Sequence, residues 1–229
     1  MQIQDQVIAV TGAFGVLGRA TAQVLGAAGA KLALLDQAPA AGADDPGRLS
    51  IGGVDLSDPA ATGAAFAKIV AHYGRLDGLV NIAGGYRWEP VGEGDLSSWQ
   101  WLQKINLGTA VSACKAALPH LLARGAGRIV NIGAIGALKA GAGNGPYAAS
   151  KAGVHRLTEA LAEELKDRGI QVNAVLPSII DTPANRRDMP NADHSRWVAP
   201  EAIAEVILFL LSPAARAITG ALIPVPGRT

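Results

Sequence analysis

Short apolar runs alternate with longer helical patterns along almost the whole chain. The apolar runs, none longer than eight residues, are 6–10, 31–35, 49–54, 77–84, 127–133, 170–177 and 221–226. The helical patterns between them cover residues 15–29, 59–72, 97–122, 147–168 and 200–211. Runs that are apolar throughout are typical of parallel strands buried on both faces of a sheet. This alternation predicts a doubly wound, Rossmann-type α/β domain with a seven-stranded, mostly parallel sheet.

The rest of the sequence limits the classes of partner and site. No linker interrupts the pattern, which predicts a single domain over residues 1–229. The net charge is +1 without blocks of like charge, so we expect neither a nucleic-acid nor a membrane partner. The N-terminal segment has no basic leader and no apolar run reaches the ~20 residues of a membrane span, which favours a cytoplasmic location. Cys114 is the sole cysteine, so we expect no internal disulfide and no metal site.

A glycine-rich segment, TGAFGVLG, connects the first predicted strand to the first predicted helix. Glycines at such a turn let backbone N–H groups approach a pyrophosphate, and the N-terminus of the following helix favours its negative charge. In this position the segment predicts a dinucleotide site. The expected contacts are Gly12, Phe14, Gly15, Val16, Leu17 and Gly18.

Polar residues follow the next predicted strands. Asp36 ends the second strand, where a carboxylate can bond both ribose hydroxyls and repel a 2′-phosphate. The predicted cofactor is therefore NAD(H) rather than NADP(H). Because ligands bind at the carboxyl ends of parallel strands, we expect the same crevice to include further residues. They are Asp55, Leu56, Asn81, Ala83 and Gly84.

Tyr147 and Lys151 lie four residues apart in a helical segment, which places them on one helix face. A tyrosine ordinarily keeps its proton up to pH ~10. A nearby cation, together with the positive nicotinamide of NAD⁺, would lower the pKa of Tyr147. The pair therefore predicts a general acid and base beside a hydride carrier.

Taken together, these motifs resemble the short-chain dehydrogenase/reductase family over essentially the whole chain. The resemblance also includes Asn106 and the segment Asn173-Ala-Val-Leu-Pro177 with Thr182 beyond it. It implies that Tyr147 exchanges a proton with the substrate, Lys151 binds the nicotinamide ribose and Asn106 holds a water in a proton relay. It further implies carboxamide contacts from Pro177, Ile180 and Thr182, and a homodimer or homotetramer formed through the helices at 97–122 and 147–168.

Two positions depart from the usual family pattern. The commoner glycine loop would have glycine at 16, where this chain has Val16 and carries Gly15 instead. The family usually has a serine thirteen residues before the tyrosine, and this chain has Ala134 there. Loss of one oxyanion donor typically costs ~10²–10³ in rate. Another group compensates, the substrate needs no such donor, or the protein is not catalytic.

Within the family the chain is similar to dihydropteridine reductase-like members, which lack the serine and reduce a quinonoid pterin with NADH. The similarity extends over residues 178–198, an irregular segment expected to be a lid or binding loop. Candidate substrate contacts are Ala134, Tyr86, Asn144, Arg187, His194 and Trp197. Two alternatives remain: a ketone or secondary-alcohol dehydrogenase with Asn144 or His194 as substitute donor, and a non-catalytic NAD-binding protein.

Overall fold

Seven parallel strands form one sheet in the computed structural model, which describes residues 3–40 and 46–229. Their order across the sheet is β3-β2-β1-β4-β5-β6-β7. The strands are β1 (Val7–Thr11), β2 (Lys31–Leu35), β3 (Arg48–Ile51), β4 (Gly78–Asn81), β5 (Gly127–Ile132), β6 (Ile170–Pro177) and β7 (Leu222–Val225). Every neighbouring pair is parallel, which confirms the predicted Rossmann-type α/β sheet.

Helices cover both faces of this sheet. They are α1 (Val16–Ala27), α2 (Pro59–Tyr73), α3 (Leu96–Leu102), α4 (Thr109–Arg124), α5 (Gly145–Leu165), α6 (Pro183–Asp188) and α7 (Pro200–Leu211). Successive residues of β1 face opposite sides: Val7 and Ala9 pack into one apolar core, and Ile8 and Val10 into the other. Burial on both faces is the reason that the strands are apolar throughout.

The helix boundaries follow local chemistry. Asp58 caps α2, since its carboxylate accepts the Ala60 N–H at 2.9 Å, and Pro59 occupies the first turn. Gly74 ends the same helix at a φ of +74°, a conformation that glycine adopts without strain. Pro200 begins α7 as its sequence position predicts.

Several predicted segments differ from the structure, and among the strands β3 and β4 end three residues earlier than predicted, at Ile51 and Asn81. The helix predicted over 97–122 is divided into α3, a π-helical turn at Gln103–Gly108, and α4. The π turn contains Asn106, whose tertiary bonds are described below and are not revealed by sequence periodicity. The predicted irregular segment 178–198 contains α6 and a 3₁₀ turn at His194–Arg196, and Ile180 pairs with Val198 in an isolated bridge.

The strand order reverses between the adjacent strands β1 and β4, because the chain passes from β3 at one edge to β4 beside β1. In open α/β sheets this reversal of strand order creates a crevice at the carboxyl ends of the strands, where ligands bind. Across residues 3–40 and 46–229, no helix has both the length and the apolar character needed to cross a bilayer. Over the same ranges, His, Cys, Asp and Glu side chains form no group of three that could hold a metal ion.

Candidate functional site

The glycine turn after β1 packs closely against the turn after β4. Gly12 has a φ of +64°, and a Cβ there would lie 2.8 Å from the Cα of Ala83. Thr11 joins the two turns, because its hydroxyl accepts the Ala83 N–H at 3.2 Å. A Cβ at Gly18 would collide with the backbone oxygen of Gly12, so α1 lies directly against the turn. Glycine is required at positions 12 and 18 by this packing.

The N-terminus of α1 remains available to an anion. Gly15 is the N-cap residue, it is exposed, and no side chain caps the helix. A Cβ at Gly15 would meet only the Gly12 oxygen, at 3.4 Å. Phe14, Val16 and Leu17 complete this turn, where the Phe14 N–H is bonded to Asp36 and the Gly15 N–H to the Gly12 carbonyl, and the predicted pyrophosphate contacts lie together at the helix N-terminus.

Asp36 follows β2 and is bonded to the glycine turn. One carboxylate oxygen accepts the Phe14 N–H at 2.8 Å, and the other accepts the Ala38 N–H at 2.9 Å. Each oxygen keeps a second acceptor site for a ribose hydroxyl. Asp55 is half-exposed beyond β3, and bonds from the Ser57 hydroxyl and N–H lower its pKa. Leu56 beside it is buried.

The residues at the end of β4 have different surroundings. The Asn81 side chain is buried and donates to the Asn131 Oδ1 at 2.9 Å and to the Cys114 Sγ at 3.3 Å. Its amide thus braces β4 against β5 and α4 within the core. Ala83 and Gly84, immediately after it, lie at the switch point beside the glycine turn.

Tyr147 and Lys151 occupy the first two turns of α5. The Lys151 Nζ donates to the Ile132 carbonyl at 2.7 Å, and a Cβ at Gly84 would lie 3.6 Å from that Nζ. The lysine amine therefore stands between the ends of β4 and β5. Burial lowers the pKa of Lys151 to about 8.

The Tyr147 phenol has the opposite shift from the one expected. Burial, and then the neighbouring Tyr86 phenol, raise the pKa of Tyr147 to about 12. In the cofactor-free protein burial of the phenol therefore dominates, and the Lys151 ammonium donates to the Ile132 carbonyl. Tyr147 is thus a neutral proton donor at physiological pH in the cofactor-free protein.

Asn106 connects α5 to the β4 turn. Its side-chain amide donates to the Gly85 carbonyl at 3.0 Å and to the Ser150 hydroxyl at 2.9 Å, and its oxygen accepts the Gly85 N–H at 2.9 Å. Ser150 in turn donates to the Tyr147 carbonyl at 2.7 Å. Asn106 is therefore bonded through Ser150 to the turn of α5 that carries Tyr147, and a Cβ at Gly84 would meet both the Asn106 Oδ1 and the Lys151 Nζ.

Ala134 follows β5 and is 5% exposed. Its N–H donates to the His155 Nε2 at 3.3 Å, and a Cβ at Gly133 would collide with the same imidazole. Burial lowers the pKa of His155, followed by the positive charges of Arg156 and Lys151. Sequence reasoning missed His155 and Ser150, although the spacing of four between 147, 151 and 155 places the histidine on the same helix face.

Aromatic side chains flank Tyr147. The Tyr86 ring packs edge-on against the Tyr147 ring, with centroids 4.9 Å apart, and the Tyr86 hydroxyl donates to the Asn144 Oδ1 at 2.8 Å. Tyr86 and Trp88 are 55% and 59% exposed. The structure thus brings the predicted residues 86 and 144 close to Tyr147.

The segment after β6 is internally braced. Pro177 ends the buried strand, Ile180 is half-buried, and the Thr182 hydroxyl caps α6 through the Asn185 N–H at 3.1 Å. Arg186 forms a two-bond ion pair with Asp181, at 2.6 and 2.8 Å. The two-bond geometry stabilises the start of α6.

Three predicted substrate contacts lie on or after α6. Arg187 is exposed on the helix, whereas the His194 Nε2 bonds the Met189 carbonyl at 2.9 Å. The Trp197 ring packs against His194 and is only 8% exposed. Trp197 therefore packs inside this segment and offers little exposed surface on which a flat ligand could stack.

Known proteins match this chain over nearly its full length. A family model described as enoyl-(acyl carrier protein) reductase matches residues 12–227. Cis-4-hydroxycyclohexanecarboxylate dehydrogenase of Sinomonas cyclohexanicum is 37% identical over 97% of this chain and 96% of its own length. The 2-(S)-hydroxypropyl-CoM dehydrogenase 3 of Xanthobacter autotrophicus is 32% identical, covering 99% of this chain and 97% of its own length.

A solved structure agrees with the fold. A short-chain type dehydrogenase/reductase from Mycobacterium ulcerans superposes with a TM-score of 0.91 and 28% identity, covering 99% of this chain and 90% of that one. These relatives are named dehydrogenases or reductases, which supports oxidoreductase activity. The chain therefore belongs to the short-chain dehydrogenase/reductase family.

Proposed function

We propose that the protein is an NAD(H)-dependent oxidoreductase that transfers hydride to or from a small organic substrate, with Tyr147 as proton donor and acceptor. The observation that carries this proposal is the position of Lys151. Its Nζ lies beside Gly84 at the switch point of the sheet, one helical turn from the Tyr147 phenol. A buried amine and a phenol at the end of a dinucleotide crevice have the arrangement that acid–base chemistry beside a hydride carrier requires.

The residues present fit a bound dinucleotide. The close packing at Gly12 and Gly18 leaves room for no side chain, and the N-terminus of α1 has no side-chain cap. Its first N–H groups would bind the pyrophosphate, and Asp36 would accept the adenosine ribose hydroxyls. Lys151 would bind the nicotinamide ribose. The bound nicotinamide supplies or accepts the hydride.

We assign NAD(H) rather than NADP(H) because of Asp36. A 2′-phosphate would stand against a carboxylate that already bonds the glycine turn and cannot move away without breaking that bond. Asp36→Ala should improve turnover with NADPH relative to NADH by about tenfold or more, equivalent to about 1.4 kcal/mol of relieved repulsion. An unchanged ratio would remove Asp36 as the determinant of cofactor choice.

For the substrate we propose a flat conjugated molecule, of which quinonoid dihydropterin is the first to test. Tyr86 is an exposed aromatic ring packed on Tyr147, and Trp88 is a second exposed ring whose indole N–H donates to the Ala142 carbonyl. Aromatic faces bind flat rings well. Ala134 has no side-chain donor, and a conjugated ring tolerates this because it disperses the charge that arrives with hydride. Tyr147 would then protonate a ring nitrogen.

The relatives favour a second candidate, a secondary alcohol and its ketone. The name of the Sinomonas relative specifies a hydroxycyclohexane carboxylate, and that of the Xanthobacter relative a hydroxypropyl group. Both are secondary alcohols. This chemistry develops charge on one oxygen, so it needs a donor in place of a side chain at Ala134.

The deciding experiment follows NADH consumption with quinonoid dihydropterin and with a cyclic ketone, and NAD⁺ reduction with the corresponding alcohol. Tyr147→Phe is the matched variant, because it keeps the ring and removes only the hydroxyl. We expect it to lower turnover by about 10²–10⁴-fold on the true substrate. Tight NADH binding without turnover, and no effect of Tyr147→Phe, would indicate a non-catalytic NAD-binding protein instead.

We also propose that the protein assembles as a homodimer or homotetramer through the small-residue helices α4 and α5. Static light scattering at micromolar concentration should give a mass of at least twice the 23.3 kDa of one chain. A mass equal to that of one chain would contradict this proposal.

A further inference from the structure

The side chain of Asn144 is not used in the way its position predicts. Asn144 is the N-cap residue of α5, and an asparagine there usually accepts a backbone N–H of the first helical turn. Here no side-chain cap bond forms. The Asn144 side chain is therefore free of the helix terminus, and other contacts hold it.

Those contacts come from the segment after β4. Residues 86–89 and residues 141–144, here called the paired loops, are joined by three hydrogen bonds. Tyr86 donates its hydroxyl to the Asn144 Oδ1 at 2.8 Å, Trp88 its indole N–H to the Ala142 carbonyl at 3.1 Å, and Glu89 its backbone N–H to the Gly143 carbonyl at 2.8 Å. The paired loops therefore hold Asn144 at a fixed position beside the start of α5.

The bond from Tyr86 also determines which end of the amide is free. Burial raises the pKa of Tyr86, so its phenol is neutral and donates. Since the Asn144 Oδ1 accepts this proton, the Nδ2 group with its two N–H donors is not used by Tyr86. A Cβ at Gly141 would stand 3.5 Å from the Nδ2, and within residues 3–40 and 46–229 this Nδ2 donates no hydrogen bond, so both N–H groups remain available.

Tyr86 connects this amide to the general acid, because its ring packs on Tyr147 at 4.9 Å. Asn144 is also only three residues before Tyr147 in the chain. The paired loops are thus joined through Tyr86 to the residue proposed to exchange the proton. Ala134, which has no side-chain donor, lies two residues after the end of β5 and is buried.

We propose that the Asn144 amide donates a hydrogen bond to the oxygen or ring nitrogen of the substrate beside Tyr147, supplying the donor that Ala134 lacks, and that Tyr86 orients this amide. The inference rests on the proposed function. Asn144 is the substrate-contacting residue, and Tyr86 is a positioning residue that acts through it. Asn144 keeps its protons throughout, while the transferred proton comes from the Tyr147 hydroxyl.

The test measures kcat, KM and the NADH dissociation constant on a substrate that the wild type turns over. Asn144→Ala should lower kcat by about 10²–10³-fold with an unchanged NADH dissociation constant. In the Asn144→Ala background, Ala134→Ser should recover at least about tenfold of that loss, because it restores a hydroxyl donor from β5. The extended backbone of Ala134, with φ −159° and ψ 142°, accommodates serine. If Asn144→Ala does not fold, Asn144→Asp, with the same shape but no donor, carries the same expectation.

Tyr86→Phe tests the positioning role separately. It keeps the ring on Tyr147 and removes the bond to Asn144, so kcat should fall about tenfold, the equivalent of one hydrogen bond. The double variant with Asn144→Ala should be no slower than Asn144→Ala alone. Tyr73→Phe, whose hydroxyl bonds the distant Leu32 carbonyl at 3.0 Å, is the matched control and should leave kcat unchanged.

The outcomes distinguish a failure of the proposed Asn144 role from a failure of the proposed function. Wild-type turnover with an equally fast Asn144→Ala, or a slow Asn144→Ala that Ala134→Ser does not rescue, would overturn the role of Asn144 and leave the proposed function intact. NADH binding without turnover of any ketone, alcohol or quinonoid pterin would overturn the proposed function and this inference with it.

Discussion

Replacing Lys151 by methionine should make the cofactor-free protein more stable at pH 7, although it removes a residue of the candidate site. Lys151 is 6% exposed, and burial lowers its pKa from 10.5 to about 8. One pKa unit corresponds to about 1.4 kcal/mol, so keeping this amine charged in the folded state costs about 3 kcal/mol. Methionine has a similar unbranched shape and carries no charge.

The variant also loses a favourable contact. The Lys151 Nζ donates to the Ile132 carbonyl at 2.7 Å, and a bond of this kind contributes about 1 kcal/mol. The net effect at pH 7 is therefore an increase of about 2 kcal/mol in the free energy of unfolding. For a domain of this length, that raises Tm by roughly 4–8 °C.

The pH dependence identifies the cause. Between pH 8 and pH 10.5 the unfolded chain binds a proton at Lys151 that the folded protein releases, so the wild type gains stability as the pH rises. Below pH 8 both states are protonated and the full cost is present. The advantage of Lys151→Met should therefore be largest at pH 7 and disappear by about pH 10.5.

Urea unfolding followed by circular dichroism at both pH values measures this difference. Lys68→Met, at an exposed position of α2, is the matched control and should change stability by less than about 0.5 kcal/mol at either pH. The reasoning would be refuted if Lys151→Met were less stable than the wild type at pH 7. The same difference at pH 7 and pH 10.5 would refute it equally.

Other substitutions test the packing. Gly63→Ala in α2 meets no atom within 4 Å and should raise the free energy of unfolding by about 0.5–1 kcal/mol, whereas Gly18→Ala collides with backbone and should lower it by about 1–3 kcal/mol. Thermal unfolding of both variants compares them, and a stabilising Gly18→Ala would contradict the packing at the turn. Asp77→Ala should lower stability by about 3 kcal/mol in urea, because this buried carboxylate accepts a backbone N–H and pairs with two arginines. Burial raises the pKa of Cys114 to about 12, so its thiol should react with a thiol reagent at pH 8 only after unfolding.

The sequence by itself was sufficient to predict the features that depend on residues close together in the chain. Strands buried on both faces must be apolar throughout, so β2 and β6 have the predicted bounds, 31–35 and 170–177. Helix starts depend on one or two residues, and the helical pattern predicted from residue 59 begins at Pro59, with Asp58 as its cap. The common face of Tyr147 and Lys151 follows from the helical period alone.

Only the tertiary structure decided what those residues contact. The pKa of Tyr147 is raised because neighbouring elements bury its phenol, a cost that the spacing to Lys151 does not reveal. Asn81 was predicted beside the cofactor, and its side chain is bonded within the core. Trp197 was a candidate substrate contact, and its ring is buried within the segment after β6. The bond between Tyr86 and Asn144 joins residues from two loops that are distant in the chain. Side-chain direction and burial depend on which distant segments pack together, and local sequence patterns contain no record of that packing.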